Sequence, residues 1–322
     1  TYKGGYCACD SSRAVVGEFA KLESRIDPSA EGIRAEGYRL QIDRRKILLT
    51  AIDSAGLFYG KQTLRQLATA QGIPCVEVLD NPRFAYRGMH LDVSRHFFPK
   101  EQIFKILDEM AYYKLNKFHF HLCDNGGWRI QIDKYPLLTK LGSHRMEIEW
   151  LKWWDFGDKH YVPEDTPGAY GGYYTKEDIR QIVSYAAGRH IDVIPEIEFP
   201  AHSDEVFVGY PEFCCTGRPY TTGEFCVGNP ATLRFAEDVL TEIMELFPSK
   251  YIHIGGDEAR KVAWKSCPKC QHLAREVGGF EEVQCYMIEH LELFLAEHGR
   301  VMMGWDEILK NSLRSSSVPI SY

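Results

Sequence analysis

Over residues 38–52, hydrophobic and polar positions alternate. Tyr38, Leu40 and Ile42 lie on one side of Asp43-Arg44-Arg45, and Ile47 and Leu49 on the other. A period of two broken by a polar turn predicts a β-hairpin with one buried face. Across residues 54–70 the spacing becomes helical, with Leu57, Tyr59, Leu64 and Leu67 placed to share one side of a helix. Residues 73–79 return to a strand pattern. Two strands, a helix and a strand predict a small α+β domain over residues 1–83, ending at the turn sequence Asp80-Asn81-Pro82-Arg83.

From residue 84 onward, strand and helix patterns take turns. Strands are predicted near 86–93, 117–123, 191–197, 251–255, 300–305 and 318–322, with helices over 100–114, 175–189, 230–247 and 281–299. Pro99 opens the first of these helices and Pro230 the third, positions where the missing amide hydrogen costs nothing. Short apolar strands alternating with helices imply a parallel sheet, and this many units predict a (β/α)8 TIM-type barrel over residues 84–322. The fold class is therefore α/β, a barrel preceded by a small α+β domain. Six barrel strands are visible and Tyr322 falls inside the sixth, so the last two units are expected to lie outside this sequence.

Polar residues collect where these strands end. The first ends Asp92-Val-Ser-Arg95-His96, the second His119-Phe-His121-Leu-Cys-Asp124, the third Glu196-Ile-Glu198-Phe-Pro-Ala-His202. The fourth, Tyr251-Ile-His253-Ile, stops at Gly255-Gly256 and presents Asp257 and Glu258; the fifth gives Gly304-Trp305-Asp306-Glu307. Packing alone would not gather charge at one end of successive strands, whereas barrel enzymes build their sites there. One connection breaks the rhythm: between Ile132 and Tyr173 lie Trp150, Trp153, Trp154, Phe156, Tyr161 and Tyr170. Aromatic side chains of this density suit the apolar faces of sugar rings, or equally a mini-core that pins a long loop.

Composition narrows the function classes. The chain has 322 residues, 44% hydrophobic and 26% charged, enough for a large core. Its net charge of -7 and lack of a basic run argue against nucleic-acid binding. No apolar stretch is long enough to span a membrane. The first residue is Thr1, which suggests a processed or trimmed chain. Ten cysteines are too sparse for a disulfide-built scaffold. Cys267-Pro-Lys-Cys270 has the spacing of half a zinc site, but its nearest candidate partners, Cys285 and His272, are poorly spaced, so two ordinary thiols are expected. Cys7, Cys9, Cys214, Cys215 and Cys226 are free to pair in an oxidising compartment, with partners that sequence does not assign.

Two adjacent acids in a closed site repel each other, and burial adds to the effect, so one carboxyl is expected to stay protonated near neutrality. Such a group protonates a glycosidic oxygen. Arg95 and Trp305 suit hydroxyl recognition and ring stacking, and Asp124 with His202 is expected to form a pair that steadies the acid. The alternative is a metal-dependent, amidohydrolase-like barrel using His119 and His121, which share one strand face. His253 lies inside its strand, and Gly255-Gly256-Asp257-Glu258 is not ligand-like, which disfavours that alternative.

From about residue 38 onward the chain resembles glycoside hydrolase family 20, the β-N-acetylhexosaminidases. The resemblance rests on Gly-Leu-Phe-Tyr-Gly-Lys-Gln-Thr-Leu in the first domain and Arg87-Gly-Met-His-Leu-Asp-Val-Ser-Arg95-His-Phe at barrel entry. It continues through His119-Phe-His-Leu-Cys-Asp124, Pro195-Glu-Ile-Glu-Phe-Pro-Ala-His202, His253-Ile-Gly-Gly-Asp-Glu258 and Gly304-Trp305-Asp-Glu307. It implies Glu258 as general acid/base and Asp257 as the residue orienting a substrate 2-acetamido group, whose carbonyl acts as nucleophile. It further implies Arg95 at the hydroxyls of the terminal sugar, Asp124 and His202 behind the acid, and Trp305 as a wall of the acetamido pocket. Glu307 and His253 are also expected at the substrate. No cofactor or metal is implied, the partners are N-acetylhexosamine-terminated glycans, and export from the cytoplasm is expected. Where the family often has Asp-Gln and Gly, this chain has Asn125-Gly126 and Ala201. A family tyrosine and aspartate from later strands have no counterpart here. GlcNAc versus GalNAc preference, and variant specificities for a disaccharide or a sulfated sugar, remain open.

Overall fold

The structure is a computed structural model that describes residues 2–7, 22–69, 72–310 and 317–320. Cys9 therefore lies outside the described residues, as does the side chain of Cys7. Two compact units are present. The first comprises residues 1–89 with segments 105–117 and 186–191; the second comprises 90–104, 118–185 and 192–322.

The smaller unit is built on a five-stranded sheet of β1 (Tyr2–Cys7), β2 (Leu22–Ile26), β3 (Tyr38–Ile42), β4 (Ile47–Ala51) and β5 (Ile73–Asp80), in the order β1-β5-β3-β4-β2. The hairpin predicted from alternation is β3–β4, with Leu40 opposite Leu49 and Asp43 Oδ1 accepting the amides of Arg45 and Lys46. Helix α1 (Ser54–Leu67) is capped by Asp53, whose Oδ1 accepts the Gly56 amide at 2.7 Å. The period-two positions Tyr38, Leu40, Ile42, Ile47 and Leu49 form the core with Tyr59 and Leu64 of the helix. The edge strands β1 and β2 were not predicted.

The larger unit holds nearly all of a six-stranded sheet of β6 (Gly88–Asp92), β7 (Lys117–His121), β11 (Asp192–Phe199), β12 (Tyr251–Gly255), β13 (Val301–Trp305) and β14 (Val318–Ile320), each beside the one before it in this series. That sequential order is the order of a TIM-type barrel, and the pairings from β11 to β14 are all parallel. Helices α2 (Lys100–Tyr112), α4 (Lys176–Ala187) and α6 (Pro230–Leu246) lie in the crossovers. Asn229 caps α6 and Pro230 occupies its first position. The crossover from β12 to β13 holds α7 (Val262–Ser266) and α8 (Pro268–Val277) as well as the predicted α9 (Phe280–Glu297). The long aromatic connection contains α3 (Leu137–Gly142) and a small sheet, β10-β8-β9, formed by His144–Arg145, Tyr161–Val162 and Tyr170–Gly171. Helix α5 (Asp204–Gly209) follows β11. Among the described residues, no helix is long and apolar enough to cross a membrane.

Candidate functional site

The polar side chains at the strand ends meet. Asp92 closes β6, and its Oδ1 accepts the amides of Ser94 at 2.8 Å and Arg95 at 3.0 Å, turning the chain back over the sheet. The Arg95 guanidinium then donates to Asp92 Oδ2 at 2.8 Å and to Asp124 Oδ2 at 2.6 Å. Burial opposes its charge, but Asp124 and Asp92 outweigh that and raise it above its ordinary value.

Asp124, just past β7, is a hub. Its Oδ1 accepts the Asn125 amide at 2.6 Å and lies 3.3 Å from His202 Nδ1, and its Oδ2 lies 3.2 Å from His121 Nε2. Burial pushes this carboxyl up, yet hydrogen bonds from His121 and His202 and the charge of Arg95 hold it well below the usual range. The imidazole of His202 is raised: desolvation acts against its charge, and Asp124 wins through a hydrogen bond and through charge. The other ring nitrogen, Nε2, faces both acids, 3.5 Å from Glu258 Oε2 and 3.8 Å from Asp257 Oδ2. The predicted Asp124–His202 pair therefore exists and points at the acidic pair.

The turn after β12 is shaped by its glycines. Gly255 and Gly256 have φ of 69° and 103°, and Glu258 itself has φ of 51°. A Cβ on Gly255 would lie 1.7 Å from Glu198 Oε2, so only glycine lets β12 end against that carboxyl. The two acids emerge into different surroundings: the Asp257 side chain is 8% exposed and that of Glu258 65%. The sequence reading put both in one closed site; the tight turn instead sends one inward and the other out.

A carboxyl raised well above its usual range by burial is Glu198, with the charges of Glu196 and Asp257 adding to the effect. Neither of its oxygens has a hydrogen-bond partner among the described residues. Asp204, at the start of α5, is pushed up to about 6, chiefly by burial. Neither residue was singled out beforehand. Glu198 stood in a strand-end motif, but only its burial beside Glu196 and Asp257 in the folded chain raises it.

His119 and His121 do share a strand face, and both turn to Glu196: His119 Nε2 lies 2.8 Å and His121 Nδ1 2.5 Å from Glu196 Oε2. His253 Nδ1 approaches the other oxygen of the same carboxylate at 2.9 Å. One buried carboxylate thus gathers the histidines that the metal reading required. Burial drives His119 down to about 4 against the pull of Glu196. His253 is fully buried, so its expected place at the substrate is corrected: strand alternation turns it into the sheet interior.

A cavity of about 600 Å³ lies over these strand ends, lined among others by Arg95, Asn125, Trp150, Trp154, His202 and Glu258. Trp305 and Glu307, also expected at the substrate, do not line it. Trp305 packs its ring 4.9 Å from that of His253, and Glu307 Oε2 accepts the Glu258 amide at 3.2 Å. Trp150 and Trp154 stack at 5.1 Å and 16°, whereas Trp153 is buried with its ring 5.3 Å from that of Tyr161. The aromatic segment thus combines a buried ring with a stacked pair on the cavity wall. Its anchor, Arg145, was missed; the guanidinium sits 5.1 Å from the Trp153 ring and 5.7 Å from that of Trp150, and donates to the Arg95 carbonyl at 2.7 Å. Asn125, which departs from the family pattern, lies 3.4 Å from His202 Nδ1 through its Nδ2, and its Oδ1 accepts the Asp204 amide at 3.3 Å.

Fold and site together define a TIM-type barrel protein with its carboxylates and histidines at the C-terminal strand ends. The sequence profile of the glycosyl hydrolase family 20 catalytic domain matches residues 84–320, and that of the family's domain 2 matches residues 11–81. The chain belongs to glycosyl hydrolase family 20. It is 40% identical to a beta-hexosaminidase of Porphyromonas gingivalis over 97% of this chain and 42% of that protein, and 38% identical to one of Vibrio furnissii over 89% and 48%. Among solved structures, it superimposes with a TM-score of 0.82 and 32% identity on a GH20 exo beta-N-acetylglucosaminidase of Vibrio harveyi in complex with N-acetylglucosamine, covering 94% of this chain and 48% of that one. A beta-N-acetylhexosaminidase of Bacteroides fragilis gives 0.80 and 32%, covering 93% and 58%. The chain spans about half the length of the curated relatives it matches.

Proposed function

We propose that this chain carries the acid/base half of a retaining exo-β-N-acetylhexosaminidase, which removes terminal GlcNAc or GalNAc from glycans by substrate-assisted hydrolysis. The observation that carries the reading is the contact of one histidine, His202, with two adjacent acids of opposite exposure. Glu258 projects into the cavity and is placed to protonate the leaving oxygen. Asp257 stays buried behind it and is placed to hold the 2-acetamido group. Acids on one turn approach a sugar from one side, whereas a protein nucleophile has to sit across the ring from the proton donor. The acetamido carbonyl fills that role: it attacks the anomeric carbon as Glu258 gives its proton to the departing oxygen. An oxazolinium ion results, and Asp257 balances its positive charge. Water, deprotonated by Glu258, then opens the ion with net retention.

Arg95, locked by Asp92 and Asp124, presents a fixed cationic fork at the cavity edge, which suits sugar hydroxyls. Trp150 and Trp154 supply flat apolar walls for a ring beyond it.

The test is hydrolysis of an aryl N-acetyl-β-glucosaminide and of the matching β-glucoside by the full-length protein. The acetamido substrate is expected to be cleaved at least about a thousandfold faster, since the glucoside lacks the nucleophile. Equal rates on the two would refute the assisted mechanism. Undiminished activity in Glu258→Gln would refute the assignment of the acid.

A further inference from the structure

Four cysteines that the catalytic reading does not use meet in the larger unit. Cys215 and Cys226 belong to the loop between β11 and α6; Cys267 and Cys270 lie at the start of α8. Their sulfurs all fall within 4.8 Å of one another, with Cys226 Sγ 3.6 Å from Cys267 Sγ and 3.7 Å from Cys270 Sγ, and Cys215 Sγ 3.7 Å from Cys270 Sγ. All four are free thiols. A disulfide needs sulfurs at about 2.05 Å. A tetrahedron of thiolates around zinc, with bonds of about 2.3 Å, needs edges of about 3.8 Å. The observed separations match the second figure.

The surroundings are those of a built site. Cys267 ends α7 and caps α8, with Pro268 at the first helical position and Cys270 in the first turn, so the C-x-x-C pair is presented by a fixed knuckle. The loop of Cys226 is pressed against it: a Cβ on Gly228 would lie 2.4 Å from the Lys269 carbonyl carbon and 2.5 Å from the Cys270 amide nitrogen. Trp264 Nε1 donates to the Phe225 carbonyl at 2.8 Å, tying the two segments beside the cluster. The neighbouring Cys214 turns away, its Sγ 3.2 Å from the Arg218 carbonyl oxygen. The sequence reading expected Cys267 and Cys270 to be two ordinary thiols; the fold instead brings Cys215 and Cys226 to them. Cys285 and His272 stay outside the cluster, and His272 is exposed and faces Glu276 on its own helix.

We propose that Cys215, Cys226, Cys267 and Cys270 bind one structural zinc ion. Four thiolates and no open position make it a closed site, which serves folding rather than chemistry. Its place explains its use. The loops it joins carry Thr216, Thr222, Glu224, Arg260 and Ala263 of the cavity wall. The Lys261 amide also ties these loops, donating to Glu224 Oε1 at 2.8 Å. The zinc would hold that wall in position. This proposal stands independently of the reaction assigned to the site.

The test is metal analysis of the full-length protein, purified under reducing conditions without chelator. About one zinc per chain is expected, released in step with the modification of four thiols by an organomercurial. Cobalt in its place is expected to show the intense visible bands of a tetrahedral tetrathiolate. Zinc is expected to vanish in Cys215→Ser/Cys270→Ser and to persist in Cys214→Ser and Cys285→Ser. The wild-type measurements stand even if the double variant fails to fold. Protein that stays zinc-free after reduction and zinc addition overturns the proposal. So do iron in the site, disulfides among these four cysteines under those conditions, or undiminished zinc in the double variant.

Discussion

His202 Nδ1 lies 3.3 Å from Asp124 Oδ1, and the opposite nitrogen of the same ring lies 3.5 Å from Glu258 Oε2. The ring thus joins a buried, strongly acidic carboxyl to an exposed one in the cavity. Asp124 is itself held by Arg95 and His121, so the carboxylate that faces the ring is fixed in place.

Asp124→Asn should therefore lower kcat/KM about 10- to 1000-fold, because both the acid beyond His202 and the Arg95 fork lose their support. The variant should also change stability against pH. The raised value of His202 means that the folded state binds its proton more tightly. That contribution is fully present below about pH 6.5 and is lost as pH rises through the folded value. A melting-temperature series should show this loss in the wild type and not in His202→Asn. An unchanged profile in the variant would remove His202 as its source.

Asp204 gives a separate window. Its carboxyl is pushed up to about 6 by burial, so folding favours the protonated form. Stability from this group should fall as pH rises from about 4, the unfolded value, through 6. Asp204→Asn should flatten the melting profile over that range and leave it alone above pH 7.

Gly255→Ala should destabilise the protein by about 4 kcal/mol, since it adds a clash with Glu198 to a left-handed backbone that costs about 1–2 kcal/mol for any other residue. Adding Glu198→Ala should relieve the clash and leave only the backbone component. Denaturant titrations of the four proteins form a double-mutant cycle, and simple additivity would show that the two residues do not press on each other.

Trp150→Ala should raise KM about 5- to 20-fold on an N-acetylglucosamine disaccharide, with a smaller effect on an aryl glycoside whose leaving group brings its own ring. The same substitution at buried Trp153 should act through melting temperature instead. Equal effects of the two on KM would show that the whole segment, rather than its exposed pair, meets the sugar.

Much of this was legible in sequence because periodicity and strand-end chemistry are local. The hairpin β3–β4 and all six barrel strands followed from alternation and from short apolar runs bounded by turns. Asp92, Arg95, Asp124, His202, Asp257 and Glu258 stood out because polar residues recur at the same point of successive units. The edge strand β2 carries almost no hydrophobic pattern, with four of its five residues exposed, and so gave no signal. His253, expected at the substrate, is fully buried, while Glu307, expected there too, meets the chain at Glu258 through its amide.

Sequence by itself thus determined the barrel order, the family and which strand ends carry acids, since each depends on a few neighbouring residues. Only the tertiary structure decided the states of those groups. It buried Asp257 while leaving Glu258 open, raised Glu198 by burying it beside Glu196 and Asp257, and turned a metal-like histidine pair onto Glu196. It also joined Cys267-Pro-Lys-Cys270 to Cys215 and Cys226 across a crossover. Burial and pairing depend on residues distant in the chain, and no local pattern encodes which distant residues will meet.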